Sequence, residues 1–266
     1  MSTTTTPITQ LQSWRYQLRG HGSGALAVAA SVLTILAVWQ LAVVVGNRIP
    51  SPADTVDSLA SEAAAGQLWA NLAVSANRFA LGLAAALLVG AVLGVLMGLS
   101  KIADLALSDL NAAALAIPAV IWALLTTMWF GFGWLTPVVT VFLAGLPFVI
   151  VNIAKATRAV PADLVLMARS FGVSRADVLR HIVAPAVAGS TVAAVRFAIM
   201  SAWNGLLLAE WFGSTSGVGW RSRYWYDANQ LDGFFAWVLV FILVLIIADL
   251  VILGPIERYA TRWRSA

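Results

Sequence analysis

The chain has 266 residues, of which 61% are hydrophobic and 11% are charged. Ordinary soluble domains contain about 25% charged residues, so this composition excludes a soluble globular protein and indicates an integral membrane domain. Cysteine is absent, and the two histidines, His21 and His181, are far apart in the chain. The sequence therefore offers no disulfide or metal site, and no Ser-His-Asp grouping or phosphate-binding glycine loop indicates an active site.

Six apolar runs divide the chain. A bilayer core about 30 Å thick needs roughly 20 apolar residues per helical span, and the runs that meet this length lie at about 25–45, 79–99, 110–130, 134–154, 187–209 and 234–254. Backbone polar groups in lipid must be satisfied internally, so the runs are predicted to be helices. The predicted protein is all-α and polytopic, with six transmembrane helices in a domain 25–258, a cytoplasmic N-terminal segment 1–24 and a cytoplasmic basic tail 259–266.

The positive charges predict the orientation of the chain. With the N-terminus in the cytoplasm, 11 of the 16 lysines and arginines lie inside and 4 lie outside, while Arg196 lies within a span. The positive-inside rule expects this asymmetry, which also accounts for the net charge without a nucleic-acid partner, and six spans return the C-terminus to the cytoplasm. Residues 1–24 are polar and the run 25–45 lacks a clear small-residue cleavage site, which indicates an anchor and not a removed signal peptide.

Three spans carry marks of helix packing or bending. Small residues recur at every fourth position of the second span, at Gly82, Ala86, Gly90, Gly94 and Gly98. Such a face lets another helix approach closely; packing within the chain is the favoured interpretation, and a subunit interface is the alternative. Prolines at 118, 137 and 147 lie inside the third and fourth runs, where each is predicted to kink its helix.

Two external segments follow from this orientation. Residues 50–75 open with turn-forming prolines and continue as a mildly amphipathic helix, predicted to lie at the membrane surface. Residues 212–233 combine glycines with aromatic residues, namely Gly213, Gly217, Gly219, Trp220, Tyr224, Trp225 and Tyr226. Aromatic residues favour the membrane interface, so anchoring is the simpler interpretation. The alternative is a face that contacts a ligand or a delivery protein.

The segment between the fourth and fifth spans, residues 159–185, is basic and amphipathic. Apolar residues recur in it near helical spacing, Gly172 falls in the middle, and Ser174 is placed to cap a second short helix. The pattern predicts a helix, a turn and a second helix that stops at Pro185. From these residues alone two functions fit equally: a helix that rests on the inner leaflet with its arginines near anionic lipid, or a docking element for a soluble partner.

The spacing within this loop resembles the cytoplasmic EAA loop of permease subunits of bacterial ABC importers. Ala168 is followed after three residues by Gly172, after nine more by Ile182 and after two more by Pro185. Leu166 and Ala184 depart from the family pattern, which has glutamate and leucine there. The resemblance implies that this loop is a coupling helix seated in a groove of an ATPase, with contacts from Ala168, Arg169, Phe171, Gly172, Val173, Arg175, Asp177, Ile182 and Pro185. Without the glutamate, docking is expected to rely on shape, apolar contact and Arg169 or Arg175.

Further motifs along nearly the whole chain resemble the nitrate/sulfonate/taurine branch of these importers. They are Ile49-Pro-Ser-Pro52, Ser75-Ala-Asn-Arg78 with Gly82, Trp129-Phe-Gly-Phe-Gly133, Arg196, Ala202-Trp203, Ala209-Glu210 and Gly217-Val-Gly219. The resemblance implies a type I importer permease fold in the bacterial inner membrane. It also implies three partners: a second permease copy, two cytoplasmic ATPase subunits and an extracytoplasmic solute-binding protein. ATP and magnesium would be bound by the ATPase, so no cofactor and no enzymatic activity are expected on this chain.

Ionisable residues within the spans form a second candidate site. Burying such a group in a bilayer is costly, so each one indicates a function by default. The favoured interpretation is a structural ion pair between Arg196 and Asp249 on antiparallel neighbours. The alternative is a translocation pathway in which Arg196, with Trp203 and Asn204, attracts an anionic solute. Glu210, near the outer edge, is also a candidate pathway residue.

Two other classes of function remain open from the residues. One is a secondary transporter without an ATPase, a class that often shows internal repeats and broken helices; no clear internal repeat is present. The other is a non-transporting membrane protein whose loop binds lipid or a signalling partner. The expected cargo is a small anionic solute resembling a sulfonate, taurine or nitrate, although aromatic or pyrimidine-type compounds also fit the branch.

Overall fold

The structure is a computed structural model that describes residues 21–46 and 48–253, without the side chains of residues 21–25, 162, 175, 188–194 and 252–253. The first 20 residues and the predicted basic tail 259–266 therefore lie outside the described residues. The described part is helical and contains no strand. Its helices are α1 (His21–Val45), α2 (Pro52–Ala64), α3 (Gln67–Leu99), α4 (Lys101–Ala116), α5 (Ala119–Phe130), α6 (Leu135–Arg158), α7 (Ala162–Ser170), α8 (Arg175–Val178), α9 (Ala184–Gly213), α10 (Val218–Asp227) and α11 (Leu231–Ile247), with π-helical segments at Leu179–Val183 and Ala248–Leu253.

The chain divides into two units between Asp57 and Ser58. The first unit contains α1, whose segment Leu26–Val45 has a mean hydropathy of 2.4 and no buried residue. The start of α2 is a capping box, because the Asp54 N–H donates to Ser51 Oγ at 3.1 Å and the Ser51 N–H donates to the Asp54 carboxylate at 3.1 Å. Hydrogen bonding from Ser51 also lowers the pKa of Asp54. Local side-chain chemistry thus begins the helix that the sequence predicts after the prolines.

The second unit carries the remaining long helices. In the part of the chain that the structure describes, four helices are long and apolar enough to cross a membrane: Leu26–Val45, Gln67–Leu99, Leu135–Arg158 and Leu231–Val251. They cover the first, second, fourth and sixth predicted runs, and α9 covers the fifth. The protein is therefore an all-α, multi-pass membrane protein, and the number of six spans stays a prediction.

The predicted third run, 110–130, is not one helix. Its two parts belong to α4 and α5, which meet at an angle of 98°. Pro118 lies at the break with φ −60° and ψ 145°, and Ile117 before it is also extended. Proline lacks an N–H and keeps the preceding residue out of the helical region, so the expected kink is a complete break. The other two predictions of kinks differ: Pro137 lies in the first turn of α6, where no bond is lost, and α6 continues through Pro147.

The small residues of α3 pack against α6 within the same chain. A Cβ added to Gly82 or Gly90 would lie 2.7 Å from the Cβ of the facing valine, a separation that real side chains do not adopt. The facing pairs advance together by four residues: Gly82 with Val141, Ala86 with Gly145, Gly90 with Val149, Gly94 with Ile153, and Gly98 with Thr157. The two helices therefore run parallel with ridges in grooves, and the prediction of packing within the chain is confirmed for this face.

The other side of α6 packs against α9. Ser201 donates from its hydroxyl to the Ala144 carbonyl at 3.0 Å, and the backbone at Gly205 approaches Ala144 closely. Trp203 is 4% exposed; its ring meets Phe79 edge-on and stacks on Phe241. These contacts fix α9 between α6 and α11, and α9 carries functional candidates at both of its ends.

Candidate functional site

The 159–185 loop begins with α7, which ends in a turn around Gly172. Gly172 has φ +76°; its N–H donates to the Arg169 carbonyl at 2.9 Å, and the Val173 N–H donates to the Ala168 carbonyl at 3.1 Å. These two bonds form a Schellman motif, which requires a left-handed residue that is usually glycine. An added Cβ would meet no atom within 4 Å, so backbone strain alone accounts for glycine here. The spacing between Ala168 and Gly172 therefore has a physical basis.

The second part of the loop is capped as predicted. Ser174 Oγ accepts a hydrogen bond from the Asp177 N–H at 3.1 Å and lies 2.6 Å from the Asp177 carboxylate. The Val178 N–H donates to the Ser174 carbonyl at 3.0 Å, which starts α8. Ser174 and Asp177 thus form a reciprocal cap in which serine satisfies an orphan N–H of the first turn. Two short-range motifs, the cap and the Gly172 turn, define the shape of the loop.

The predicted helix end at Pro185 is wrong. The chain continues from α8 through the π-helical segment Leu179–Val183 into α9 without a break, and the Ala184 N–H donates to the Leu179 carbonyl. A proline inside an α-helix lacks its N–H and crowds the carbonyl four residues earlier. A π turn inserts one extra residue, so it accommodates Pro185 without ending the helix. The loop is therefore joined to α9 by continuous helix.

One face of the 159–185 loop packs against the hydrophobic core, and the other face is exposed. Val178 and Val183 are 5% and 2% exposed, and together with Ala168 and Ile182 they pack against side chains of α6. Phe171 at the turn is 82% exposed. Five more of the residues predicted to contact the ATPase are also exposed, namely Arg169, Gly172, Val173, Asp177 and Pro185. The side chain of Arg175 lies outside the described residues. The loop thus presents an apolar tip on a fixed base.

Glu210, a predicted pathway residue, lies in a buried hydrogen-bond network instead of on a surface of this chain. Its side chain is 0% exposed. Its carboxylate accepts hydrogen bonds from Ser75 Oγ at 2.8 Å, Arg78 Nη1 at 2.9 Å and the Gly219 N–H at 3.0 Å. A charged group so deeply buried needs both a counter-ion and hydrogen bonds. Arg78, 3% exposed, supplies the charge, so the carboxylate is fully provided for inside the fold.

The same network holds the segment 214–219 in place. Arg78 donates from Nη1 to the Ser216 carbonyl at 2.7 Å, and the Gly217 N–H donates to Asn71 Oδ1 at 2.8 Å. Gly217 has φ +104°, and a Cβ there would overlap the Glu210 carboxylate. These residues, Asn71, Ser75, Arg78, Glu210 and the segment 214–219, are called the Glu210 network below. The network ties the outer part of α3 to the end of α9 and the start of α10.

No role at a site is predicted from the sequence for three members of this network, Asn71, Ser75 and Arg78, although Ser75 and Arg78 stand in one motif of the resemblance. A signal for them exists. These positions continue the buried stripe that begins at Gly82 toward the start of α3, which lies at Gln67 and not at the predicted residue 79. Polar residues that continue a packing face must find partners inside the protein. What the pattern could not supply is the identity of the partner, since Glu210 is 135 residues from Ser75.

A second ion pair lies between α2 and α10. Arg221 donates two hydrogen bonds of 2.8 Å to the Glu62 carboxylate, and Trp237 Nε1 donates to it at 3.1 Å. Burial alone would raise the pKa of Glu62, but hydrogen bonds and the positive charge of Arg221 outweigh it and lower that pKa. The carboxylate in turn raises the pKa of Arg221. The pair fastens the predicted surface helix to the aromatic segment.

Arg196 and Asp249 form the ion pair that the sequence analysis favours. Arg196 donates from Nε and Nη2 to the two Asp249 oxygens at 2.8 and 2.7 Å, and both side chains are about one-third exposed. The remaining predicted pathway residues have other surroundings. Trp203 is buried between two phenylalanines, whereas Asn204 is exposed and donates to the Met200 carbonyl at 2.8 Å. Arg196 and Asn204 thus keep exposed surface, while Trp203 and Glu210 do not.

The segment 212–233 lines an open cavity of about 480 Å³. Its walls include Trp220, Tyr224 and Arg223, with Phe132 from the loop before α6. Arg223 donates to the Trp211 carbonyl at 3.0 Å and pairs with Asp227 at 3.2 Å. The aromatic residues of this segment are therefore divided between packing and the cavity wall, and both interpretations, membrane anchoring and contact with a ligand or delivery protein, stay predictions.

The bundle of long apolar helices and the rigid loop with an exposed tip define the class: a membrane component of a transporter. The chain belongs to the family described as binding-protein-dependent transport system inner membrane component, which matches residues 86–253. The taurine transport system permease protein TauC of Escherichia coli is 28% identical over 262 residues, 95% of this chain and 94% of that protein. SsuC of the same organism, named for aliphatic sulfonates transport, is 30% identical over 236 residues, 87% of this chain and 89% of its own length.

A solved structure supports the fold. The MetNI methionine ABC transporter, in an inward-facing conformation, has a chain that matches with a TM-score of 0.59 and 19% identity over 74% of this chain and 96% of its own. The family match and the two relatives confirm the resemblance to the sulfonate and taurine branch, and the solved structure confirms the type I importer permease fold. The chain is a permease subunit of an ABC importer. The secondary transporter and the non-transporting membrane protein are excluded as alternatives.

Proposed function

We propose that this chain forms the translocation pathway of an importer for a small sulfonate, such as an aliphatic sulfonate or taurine, or a similar oxyanion such as nitrate. The cargo class rests on the two permeases described above, which are named for sulfonates and taurine. The observation that carries the mechanism is the 159–185 loop, which joins a solvent-exposed apolar tip to a span by continuous helix. A rigid lever of this kind transmits force from a soluble partner into the membrane.

Partners of three kinds complete the proposed transporter. Two cytoplasmic ATPase subunits, which bind ATP and magnesium, dock on the tips of two such loops, and an external solute-binding protein delivers the cargo. A second copy of this chain forms the other half of the pathway. Closure of the ATPase pair draws the two loops together, and because each loop continues into α9, the movement reaches the spans. This chain needs no cofactor of its own for that task.

The proposed placement is the bacterial inner membrane with both termini in the cytoplasm. The asymmetry of lysine and arginine supports it, since Lys155, Arg158, Arg169 and Arg180 then lie on the cytoplasmic side. The 159–185 loop faces the ATPase in this orientation. The segment 212–233 faces the delivery protein, and its cavity is on the side from which the solute arrives.

Within the membrane, Arg196 and Asn204 are the proposed pathway residues because they keep exposed surface. The Arg196 guanidinium is paired with Asp249 and keeps about one-third of its side chain exposed. Trp203 and Glu210 do not line the pathway in this proposal; they hold α9 against its neighbouring helices. Arg196→Gln removes the charge and is expected to weaken anion uptake while the complex still assembles. Uptake with unchanged affinity would rule out the anion role.

The coupling role is tested with two matched glycines. Gly172 and Gly66 both have positive φ, +76° and +74°, and at both an added Cβ meets nothing within 4 Å. Tryptophan therefore strains the two turns similarly, but only position 172 lies on the 159–185 loop. Gly172→Trp is expected to abolish substrate-stimulated ATP hydrolysis by the reconstituted complex, and Gly66→Trp is expected to preserve it. Preserved hydrolysis in Gly172→Trp would place the coupling contact elsewhere.

A further inference from the structure

A second cavity lies behind the 159–185 loop, where α3 and α6 end. Its volume is about 420 Å³. Most of its wall is apolar, with contributions from Leu99, Val160, Val165 and Leu166. Two guanidinium groups, those of Arg158 and Arg169, also line it, and none of the described carboxylates does. The cavity therefore combines an apolar wall with net positive charge.

The polar groups of this cavity are only partly used within the described residues. Arg158 pairs with Asp104 of α4, whereas Arg169 has no side-chain hydrogen bond or ion pair in the described part of the chain. Thr157, which lines the cavity and is 3% exposed, has a buried hydroxyl that finds no partner there either. A buried polar group without a partner destabilises the fold. The Arg169 guanidinium and the Thr157 hydroxyl, both without a partner among the described residues, are donors that an oxyanion ligand can accept from.

Leu166 leaves the positive charge of this cavity without a counter-ion at that position. It stands where the EAA pattern has a glutamate, and its side chain lines the cavity together with both arginines. A carboxylate at this position would supply an internal counter-ion to Arg169. Leucine instead extends the apolar wall and leaves the positive charge to be balanced from outside the chain. Leucine in place of glutamate at position 166 therefore explains why Arg169 has no carboxylate partner among the described residues.

We propose that this cavity binds the phosphate headgroup of an anionic phospholipid from the inner leaflet. A phosphate ester is recognised by guanidinium groups and a hydroxyl, and the apolar wall fits the adjoining glycerol and acyl chain. This inference rests on the proposed orientation, which puts the ends of α3 and α6 at the inner membrane surface. Free phosphate would meet the same donors, but it would leave the apolar wall without a partner. The lipid would fill the space between α7 and the spans and so brace the loop that docks the ATPase.

The test is lipid retention by the intact permease–ATPase complex. The complex is reconstituted with phosphatidylglycerol or with phosphatidylcholine, released into mild detergent, and its bound lipid is counted by native mass spectrometry. Arg169→Gln should reduce retention of phosphatidylglycerol about tenfold, the effect of losing one charge-assisted hydrogen bond. Leu166→Glu should reduce it similarly, because the new carboxylate pairs with Arg169. The control is Arg180→Gln, which removes an exposed arginine of the same loop outside the cavity.

The outcomes separate the sources of phosphate. Bound phosphatidylglycerol that is displaced neither by inorganic phosphate nor by phosphatidylcholine supports the proposal. Displacement of the lipid by millimolar inorganic phosphate would overturn it in favour of a free anion. Equal retention in the Arg169, Leu166 and Arg180 variants would overturn the cavity as a site altogether. Assembly of the complex and its basal ATP hydrolysis are measured on the same samples, so failure of the lipid site is distinguished from failure of the proposed function.

Discussion

The Glu210 network buries charge, whereas the tip of the 159–185 loop exposes apolar surface. Each reverses the usual distribution of residues in a folded protein. In the network, every oxygen of Glu210 has a donor and the surrounding glycines leave no room for a side chain. At the tip, Phe171 is 82% exposed, and the turn beneath it is formed by its own backbone bonds and cap.

This difference in burial indicates a structural role for the Glu210 network and a binding role for the tip of the loop. The Glu210 network joins elements that are more than 130 residues apart in the chain, so its residues maintain the fold and cannot be exchanged singly. The tip is formed by local motifs that do not depend on distant contacts, so its exposed side chains are free to serve a partner. Substitutions in the network should therefore change stability, and substitutions at the tip should change coupling.

The largest expected effect is that of Arg78→Met. Removing one partner of a buried ion pair leaves an uncompensated charge, which typically costs about 3–5 kcal/mol. The variant should show a large drop in thermal stability and in yield of folded protein in detergent. The double variant with Glu210→Gln should be more stable than Arg78→Met alone, because the buried charge is then absent. A double variant as unstable as the sum of the two single changes would show that the pair does not act as a unit.

Phe171→Ala should have the opposite signature. An exposed ring contributes little to folding, so the thermal midpoint should not move. If the ring fills a pocket on the ATPase, its loss should weaken docking by about 2 kcal/mol, or roughly thirtyfold. Affinity between permease and ATPase is the measurement, and Phe132→Ala, at a phenylalanine that is 67% exposed outside this loop, is the control. Equal loss in the two variants would remove the distinction between the regions.

Gly90→Ala tests the packing of α3 on α6. The added Cβ would lie 2.7 Å from Val149, so the helices must separate, at a cost of about 1–3 kcal/mol for overpacking. Gly133→Ala is the matched control, because a Cβ there meets nothing within 4 Å. Thermal unfolding in detergent should distinguish the two, and Gly90→Ala with the stability of the unchanged chain would contradict the close approach of the helices.

The smallest expected effect is a pH dependence from Glu62. Because its pKa is lowered in the folded protein, its pair with Arg221 stabilises the fold fully above the ordinary value of about 4.5 and loses that contribution as the pH falls through the lowered pKa. The contribution is about 1 kcal/mol, given the screening of a pair near the surface. Glu62→Gln should therefore be slightly less stable than the unchanged chain at pH 7, and the gap should close only as the pH falls below about 4.5. A gap that widens at acid pH would reverse the assignment.

The sequence predicts the spans and the loop well because their signals are local. Hydropathy locates five of the helices, and Gly172 and Ser174 predict the turn and cap of the loop. Two errors came from proline. Pro118 breaks its helix outright, since hydropathy averages over the break, and Pro185 lies within a continuous helix because a π turn accommodates it.

The Glu210 network could not be assembled from the sequence. Each of its members is visible there as a polar residue or a glycine, but hydrogen bonds between α3 and α9 depend on how distant helices meet. The sequence therefore predicts Glu210 to be a pathway residue, because an isolated acidic residue in a span is expected to have a function. Only the structure brings Ser75, Arg78 and Gly219 around it.

In the proposed transporter, the tip of the 159–185 loop docks the ATPase. Photo-crosslinking from two exposed positions tests this docking most directly, with a benzoylphenylalanine introduced in place of Phe171 or of Phe132 in an assembled, ATP-hydrolysing complex. Position 171 should capture the ATPase subunit, and position 132 should not. An active complex in which position 171 captures no ATPase would contradict the docking role of this loop.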